Sequence, residues 1–384
     1  MIIKRILTVL SLALACNIGV SCGEPAGGNS AISGWEKMGE KQEETEEKPE
    51  IVTPDPEDPY ADCWFKTRGI VAGWGDVYAP YSSYQIDYLK IAKEHGLNTF
   101  SIYGPDRSSQ IWKDYMAEGA KVGVKFEFQE HMMSFLLPRS LFSTHPEYFR
   151  MNKSGVRVED ANGCPSSEGA LEQVYLNAKR LGESYKPTNH RYYFWLDDGG
   201  DICYCPKCKD YSASEQALIF ENTIIKALKE LDPDALLAHL AYNNTTNAPK
   251  KVEPAEDIFL EFAPFHRDWS HPLSETWVEG NSGWTHAKYI RALQENLAVF
   301  PKSTAQVLEY WMDDSLFSGW NPSDLKEVPW SSKVFQDDLK TYAKYGIQHI
   351  TCYCAYVGPA YVQKFGFPDF LIEYADGLRD FRKE

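Results

Sequence analysis

Two rhythms of apolar residues alternate along this chain. Short runs of branched and aromatic residues, flanked by turn formers, predict buried strands over 69–74, 99–103, 124–128, 191–196, 235–242, 258–262, 305–310 and 348–353. Between them the apolar spacing becomes helical, over 85–95, through Met116, and over 171–181, 214–231, 287–299 and 333–345. The first of these helices ends at Gly96-Leu97-Asn98, where glycine supplies a left-handed closing residue. A long excursion from Ser134 to about Cys164 interrupts the alternation. Eight strands alternating with helices predict an α/β fold, a closed (β/α)8 TIM barrel. An open doubly wound sheet would alternate too, but no G-x-G-x-x-G turn follows the first strand and there is no P-loop.

The pattern changes before the barrel. Lys4-Arg5 precedes an apolar run from Ile6 to Ala15, with Cys16 and Cys22 beyond it. Such a run is short for a membrane span and suits an export signal. The flanking cysteines resemble a bacterial lipoprotein signal over 1–22, with Cys22 as the lipidated residue and Cys16 as the second choice. Residues 23–62 are rich in Gly, Ser, Glu, Lys and Pro, which predicts a disordered acidic tether. The barrel domain then occupies 63–384. This reading puts the protein on a lipid anchor at the bacterial outer membrane or cell surface, or alternatively in the periplasm. An unlipidated signal on a secreted protein is the competing expectation.

Composition narrows the partners. The net charge of −16, part of it in the stretch Glu40 to Glu57, disfavours nucleic acid as a partner, because a phosphate backbone demands basic surface. Aromatic residues make up 14% of the chain, with 11 Trp and 23 Tyr. Aromatic faces suit the apolar C–H faces of sugar rings, although a large barrel also fills its core with them.

The candidate chemistry gathers where strands end. Tyr192-Tyr193-Phe194-Trp195-Leu196 runs straight into Asp197-Asp198-Gly199-Gly200-Asp201. Carboxyl ends of barrel strands carry catalytic groups, so Asp197 and Asp198 are candidate catalytic residues. Glu309, ending the seventh strand, is the third. Candidate substrate contacts are Trp74, Tyr103, Glu130, His131, Asp201, Tyr242, Glu261, Arg267, Tyr310 and Trp311. Paired carboxylates in an aromatic cleft suit glycosidic-bond cleavage, one giving a proton to the leaving oxygen and one stabilising or attacking the oxocarbenium-like centre. Two geometries stay open: Asp198 facing Glu309 across the mouth, or adjacent Asp197 and Asp198 acting together. Trp195 and Trp311 are stacking platforms or barrel core. The first strand lacks a His-x-His metal set and no G-x-S-x-G elbow occurs, which argues against a metal amidohydrolase and an esterase. No catalytic cofactor is expected.

Cys203-Tyr204-Cys205-Pro206-Lys207-Cys208 follows directly, a C-x-C-x-x-C run with Cys164 as a possible fourth member. It reads as a structural staple, either a zinc site or disulfides. Cys352 and Cys354, two apart on the last strand, are expected to be buried thiols on one face.

These residues resemble a family of exported proteins of Bacteroidetes-type bacteria that carry a domain of unknown function and are suspected glycoside hydrolases. The matching features are His145-Pro146-Glu147-Tyr148-Phe149, Gly155-Val156-Arg157, Cys164, the Asp-rich strand end with its Cys run, Ala241-Tyr242 and Tyr310-Trp311. More distantly the barrel looks like those of family 20 hexosaminidases and family 67 α-glucuronidases. That resemblance implies polysaccharide processing, with Asp197-Asp198 standing where a family 20 enzyme carries an adjacent Asp-Glu pair. The expected function is therefore a glycoside hydrolase acting on complex polysaccharide or glycan. The alternative is a surface lipoprotein that binds glycan without cleaving it.

Overall fold

The computed structural model describes residues 60 and 62–383. The signal expected over 1–22, with Cys16 and Cys22, and the tether through residue 59 lie outside these. The Tyr60 ring lies 5.7 Å from the Arg68 guanidinium and 5.8 Å from that of Arg379.

Nine parallel strands build the sheet: β1 (Thr67–Gly73), β2 (Thr99–Tyr103), β3 (Lys125–Glu127), β4 (Gln129–His131), β5 (Arg191–Trp195), β6 (Leu236–Ala241), β7 (Ile258–Phe262), β8 (Gln306–Glu309) and β9 (His349–Tyr353). Their order is β3-β2-β1-β9-β8-β7-β6-β5-β4. The two ends of that order, β3 and β4, are one stretch of chain broken at Phe128. The sheet therefore closes on itself, and the expected eight-stranded barrel is the architecture, with one staved strand. The break has a local cause. Glu127 pairs with Ser101 of β2, whereas Gln129 pairs with Tyr193 of β5. The Ser101 hydroxyl accepts the Gln129 N–H at 2.9 Å, satisfying a donor that the ladder releases there.

Helices on the outside begin and end at signals visible in the chain. Asp87 caps Tyr88–His95 and Gly96 closes it at φ 82°. Ser212 and Glu215 form a capping box on Ala213–Lys229, and Ser331 and Gly346 bracket Ser332–Tyr345. The first helix starts at Tyr88 rather than at 85, since Asp87 spends its side chain as the cap. Beyond β9, Pro359–Phe365 and Phe370–Asp380 add two helices that the strand-helix count did not anticipate. Among the described residues no helix is long and apolar enough to cross a membrane.

Alternation divides each strand between two cores. The outer core packs helices on the sheet and contains Val307, Trp311 and Ile350. The lumen has its own cluster, including Val71, Tyr193, Trp195, Phe259, Leu308 and Tyr310. Below these rings lies a buried polar layer. Tyr193 donates to Glu127 at 3.0 Å or to Gln306 at 2.9 Å, Gln306 donates to Glu261 at 3.2 Å, and the Trp195 indole donates to Glu261 at 2.8 Å.

Candidate active site

The end of β5 divides its two carboxylates as strand parity requires. Asp197 Oδ2 accepts from the Arg139 guanidinium and, at 2.5 Å, from the Asn162 backbone N–H. The Asn162 side chain returns the contact, accepting the Asp197 N–H at 2.9 Å. Asp197 thus ties the excursion 134–164 to the strand end. Gly200 makes the approach possible: a Cβ there would stand 2.7 Å from Asn162 Nδ2, while Gly199 turns the chain at φ 60°. Asp198 is exposed and contacts the Tyr242 hydroxyl. A cavity beside them is lined by His131, Asn162, Asp197, Gly200, Tyr242 and Asn244.

From Asp198 an arc of tyrosines follows the strand ends. Tyr242 feels Asp198 and, after its own burial, this raises its pKa. Phe265 joins Tyr242 to Tyr310 with ring centroids 5.3 and 5.2 Å away, and Tyr310 stacks on Tyr353 at 5.2 Å. Tyr103 and Tyr356 complete the arc, and both feel Asp76 and Asp313. Trp320, 61% exposed, extends the wall outward with its ring 6.4 Å from Phe265. An exposed indole offers a flat apolar face to solvent that a buried one does not.

Two carboxyl groups on this arc have strongly displaced acidity. Burial pushes Asp313 up to about 7, against hydrogen bonds from Ser315 and the Leu316 N–H that favour its ionised form. It is 3% exposed and caps the turn Asp314–Phe317. Burial raises Asp76 to about 6, against N–H bonds from Tyr356 and Gly73. Both residues stand at strand ends that the sequence marks as the active face, Asp76 after the first strand and Asp313-Asp314 after the seventh, but neither is among the candidate catalytic or substrate-contact residues. The available signal was Asp313-Asp314 directly behind Tyr310-Trp311-Met312, an acidic pair on a barrel strand's exit.

The remaining expected residues divide by strand face. Tyr103, Tyr242 and Tyr310 reach the mouth, and His131 lies by the cavity with its Nδ1–H donating to the Leu196 carbonyl at 2.5 Å. Glu261 belongs to the polar layer within the lumen, where burial raises its pKa well above the usual range. Glu309 points outward, since its neighbours Leu308 and Tyr310 face the lumen. There it meets Arg267 at 2.9 Å and the Tyr342 hydroxyl, with Asp338 2.7 Å from the same guanidinium. All three charged groups are fully buried, so the facing pair of Asp198 and Glu309 does not form and Arg267 is not open to a ligand. Trp311 shares that outer layer, its indole donating to Asp338 at 3.0 Å. Trp74 stacks on Tyr78 at 4.6 Å and packs against the outer core. Glu130 pairs with Arg107, which lies 3.9 Å from the Tyr185 ring centroid. Asp201 accepts from the Tyr204 hydroxyl at 3.0 Å and meets Arg150 at 3.5 Å, bracing the loop after β5.

Among the described residues two groups could hold a metal. Cys164, Cys203, Cys205 and Cys208 lie with all four sulfurs within 4.8 Å of one another. His190, Asp232 and Asp234 form the other, at the opposite end of β5, where His190 Nδ1 already meets Asp232 at 2.8 Å. Cys352 and Cys354 are buried free thiols.

Residues 70–353 match the family model described as "Domain of unknown function (DUF4838)". No curated protein matches the chain. Among solved structures, a GH42 beta-galactosidase, Gan42B, is similar at TM-score 0.46 and 14% identity, covering 83% of this chain and 57% of its own. A GH5-4 broad specificity endoglucanase from an uncultured bacterium aligns at TM-score 0.45 and 11% identity, covering 82% of this chain and 94% of its own. PbGH5A, a glycoside hydrolase family 5 enzyme from Prevotella bryantii, aligns at TM-score 0.45 and 9% identity, covering 84% and 98%.

Proposed function

The chain belongs to the DUF4838 family, and we propose that it is a glycoside hydrolase acting on complex glycan at the barrel mouth. The observation that carries this reading is Asp313: a buried carboxyl raised to about 7, on the same tyrosine-lined arc as the open carboxylate Asp198. A carboxylic acid still protonated near neutral pH is what a leaving glycosidic oxygen requires. Asp313 gives that proton, and Asp198 stabilises or attacks the sugar centre, or activates water against it. The exposed Trp320 and the ring of Phe265 supply the apolar face on which a sugar stacks. Asp197, committed to Arg139 and Asn162, positions the strand end rather than entering the chemistry.

A panel of polysaccharides and oligosaccharides assayed for new reducing ends tests the reading. Asp198→Asn is expected to fold, to retain glycan binding and to lose turnover by about 10²–10⁴-fold. Full activity in that folded variant removes Asp198 from the chemistry. Binding without cleavage across the panel makes the protein a glycan-binding module.

The same proposal includes the anchor expected at Cys22. Cys22→Ser should move the protein from the membrane fraction to the soluble one. Release by Cys16→Ser instead reassigns the lipidated residue.

A further inference from the structure

The thiol cluster belongs to neither apolar core. Cys164, Cys203, Cys205 and Cys208 pack together, with Met151 against them, and none is more than 3% exposed. Cys164 Sγ is 3.8 Å from Cys205 Sγ and 3.8 Å from Cys208 Sγ. A Zn–S bond of about 2.3 Å places the corners of a sulfur tetrahedron about 3.8 Å apart, whereas a disulfide brings two sulfurs to about 2.05 Å. The two Cys164 spacings match that edge, and all four sulfurs lie within 4.8 Å of one another, close enough to share one ion.

From this geometry we infer that the four cysteines bind a structural Zn²⁺ ion that fastens the excursion 134–164 to the loop after β5. The inference is independent of the proposed glycosidase activity. It requires four thiolates, and the surroundings suit the charge. The Met151 N–H donates to Cys203 Sγ at 3.3 Å, the Arg157 guanidinium approaches the same sulfur at 3.7 Å, and the Ser166 hydroxyl lies 2.7 Å from Cys208 Sγ. Donors of this kind stabilise metal-bound thiolate and orient it. With four thiolates on a divalent ion the site carries two negative charges, of which Arg157 offsets one.

The loop is shaped around that point from outside. Gln216 accepts the Cys203 N–H at 2.9 Å and donates to the carbonyls of Cys203 at 3.0 Å and Cys208 at 3.1 Å. Pro206 sits within a turn closed by the Cys208 N–H on the Cys205 carbonyl at 2.9 Å. Both sulfurs of the C-x-x-C pair therefore face the same centre. Cys164 comes from the other segment, two residues beyond the Asn162 that grips Asp197. All four positions offer sulfur and all are closed to solvent, the character of a structural site rather than a catalytic one with an open coordination position.

Elemental analysis of the full chain, purified without chelator, tests the assignment. One zinc per chain is expected, released in step with four thiols when a mercurial titrates them. Replacement by Co²⁺ should give the visible bands and thiolate charge transfer of a tetrahedral sulfur site. Cys164→Ser should lose the zinc and lower the Tm of the folded protein. If that variant does not fold, the stoichiometry and cobalt spectrum of the unaltered chain decide the matter. Iron in place of zinc, two disulfides in a non-reducing peptide map, or four free thiols without metal would each overturn the assignment.

Discussion

Glu309 and Asp313 stand four residues apart at the exit of one strand, and both are buried carboxyl groups with raised pKa values. Their surroundings make them opposites. Glu309 faces outward beneath Ser332–Tyr345, where burial raises its pKa and Arg267 pulls it back. Its Tyr342 and backbone contacts leave it no route to solvent. Asp313 lies on the tyrosine arc at the mouth, beside Asp314, and receives hydrogen bonds from Ser315 and Leu316. Both are raised to about 7, so place separates them: Glu309 is locked against Arg267 and Tyr342 behind the sheet, while Asp313 stands on the tyrosine arc. The comparison separates a framework group from a chemical one more sharply than their shared acidity.

The largest test of that contrast is Asp313→Asn. Asparagine keeps the capping oxygen for the Ser315 N–H but has no proton to give, so turnover should fall by about 10²–10⁴-fold with folding intact. Equal steady-state rates for the variant and the unaltered protein would transfer the acid role elsewhere. Next is Arg267→Met, which leaves Glu309 and Asp338 buried without their shared cation. Breaking such a cluster costs about 3–5 kcal/mol, read as a lowered urea midpoint. A midpoint near that of the unaltered protein would show that Glu309 needs no partner there.

The pH dependence of stability comes next. Asp313 has its pKa raised from 3.8 to about 7 by folding, so the folded chain holds the extra proton between those values. Stability from this group is therefore present at the acidic end of that window and is lost as pH rises through 7. Between pH 5 and pH 7 that is roughly 2 kcal/mol, and Asp76 contributes in the same direction below about 6. Asp313→Asn should flatten the slope, so its Tm relative to the unaltered protein improves from pH 5 to pH 8. A parallel pair of curves would contradict the raised acidity. Smallest is Trp320→Ala, expected to raise KM by about 3–10-fold with little change in kcat, since it removes a stacking face outside the reacting centre. A change confined to kcat would place Trp320 among the reacting groups instead.

The sequence alone determined that strands and helices alternate, that the chain closes as a barrel, and that acids and tyrosines crowd the strand exits. The helix stop at Gly96 was legible because its chemistry is local, whereas the Asp87 cap inside the expected helix was not. The face each strand residue presents was not. Strand β8, Gln-Val-Leu-Glu, is buried on every residue, so polarity does not reveal which parity looks inward. One step of parity sends Glu309 to Arg267 and Tyr310 to the mouth, and only the closed sheet makes that choice. The C-x-C-x-x-C run likewise announced a linkage, while the spacing of its sulfurs and the arrival of Cys164 depend on two segments about forty residues apart meeting in space. Burial, which gives Asp313 its acidity, is a property of everything packed around it. No local stretch of sequence contains that information.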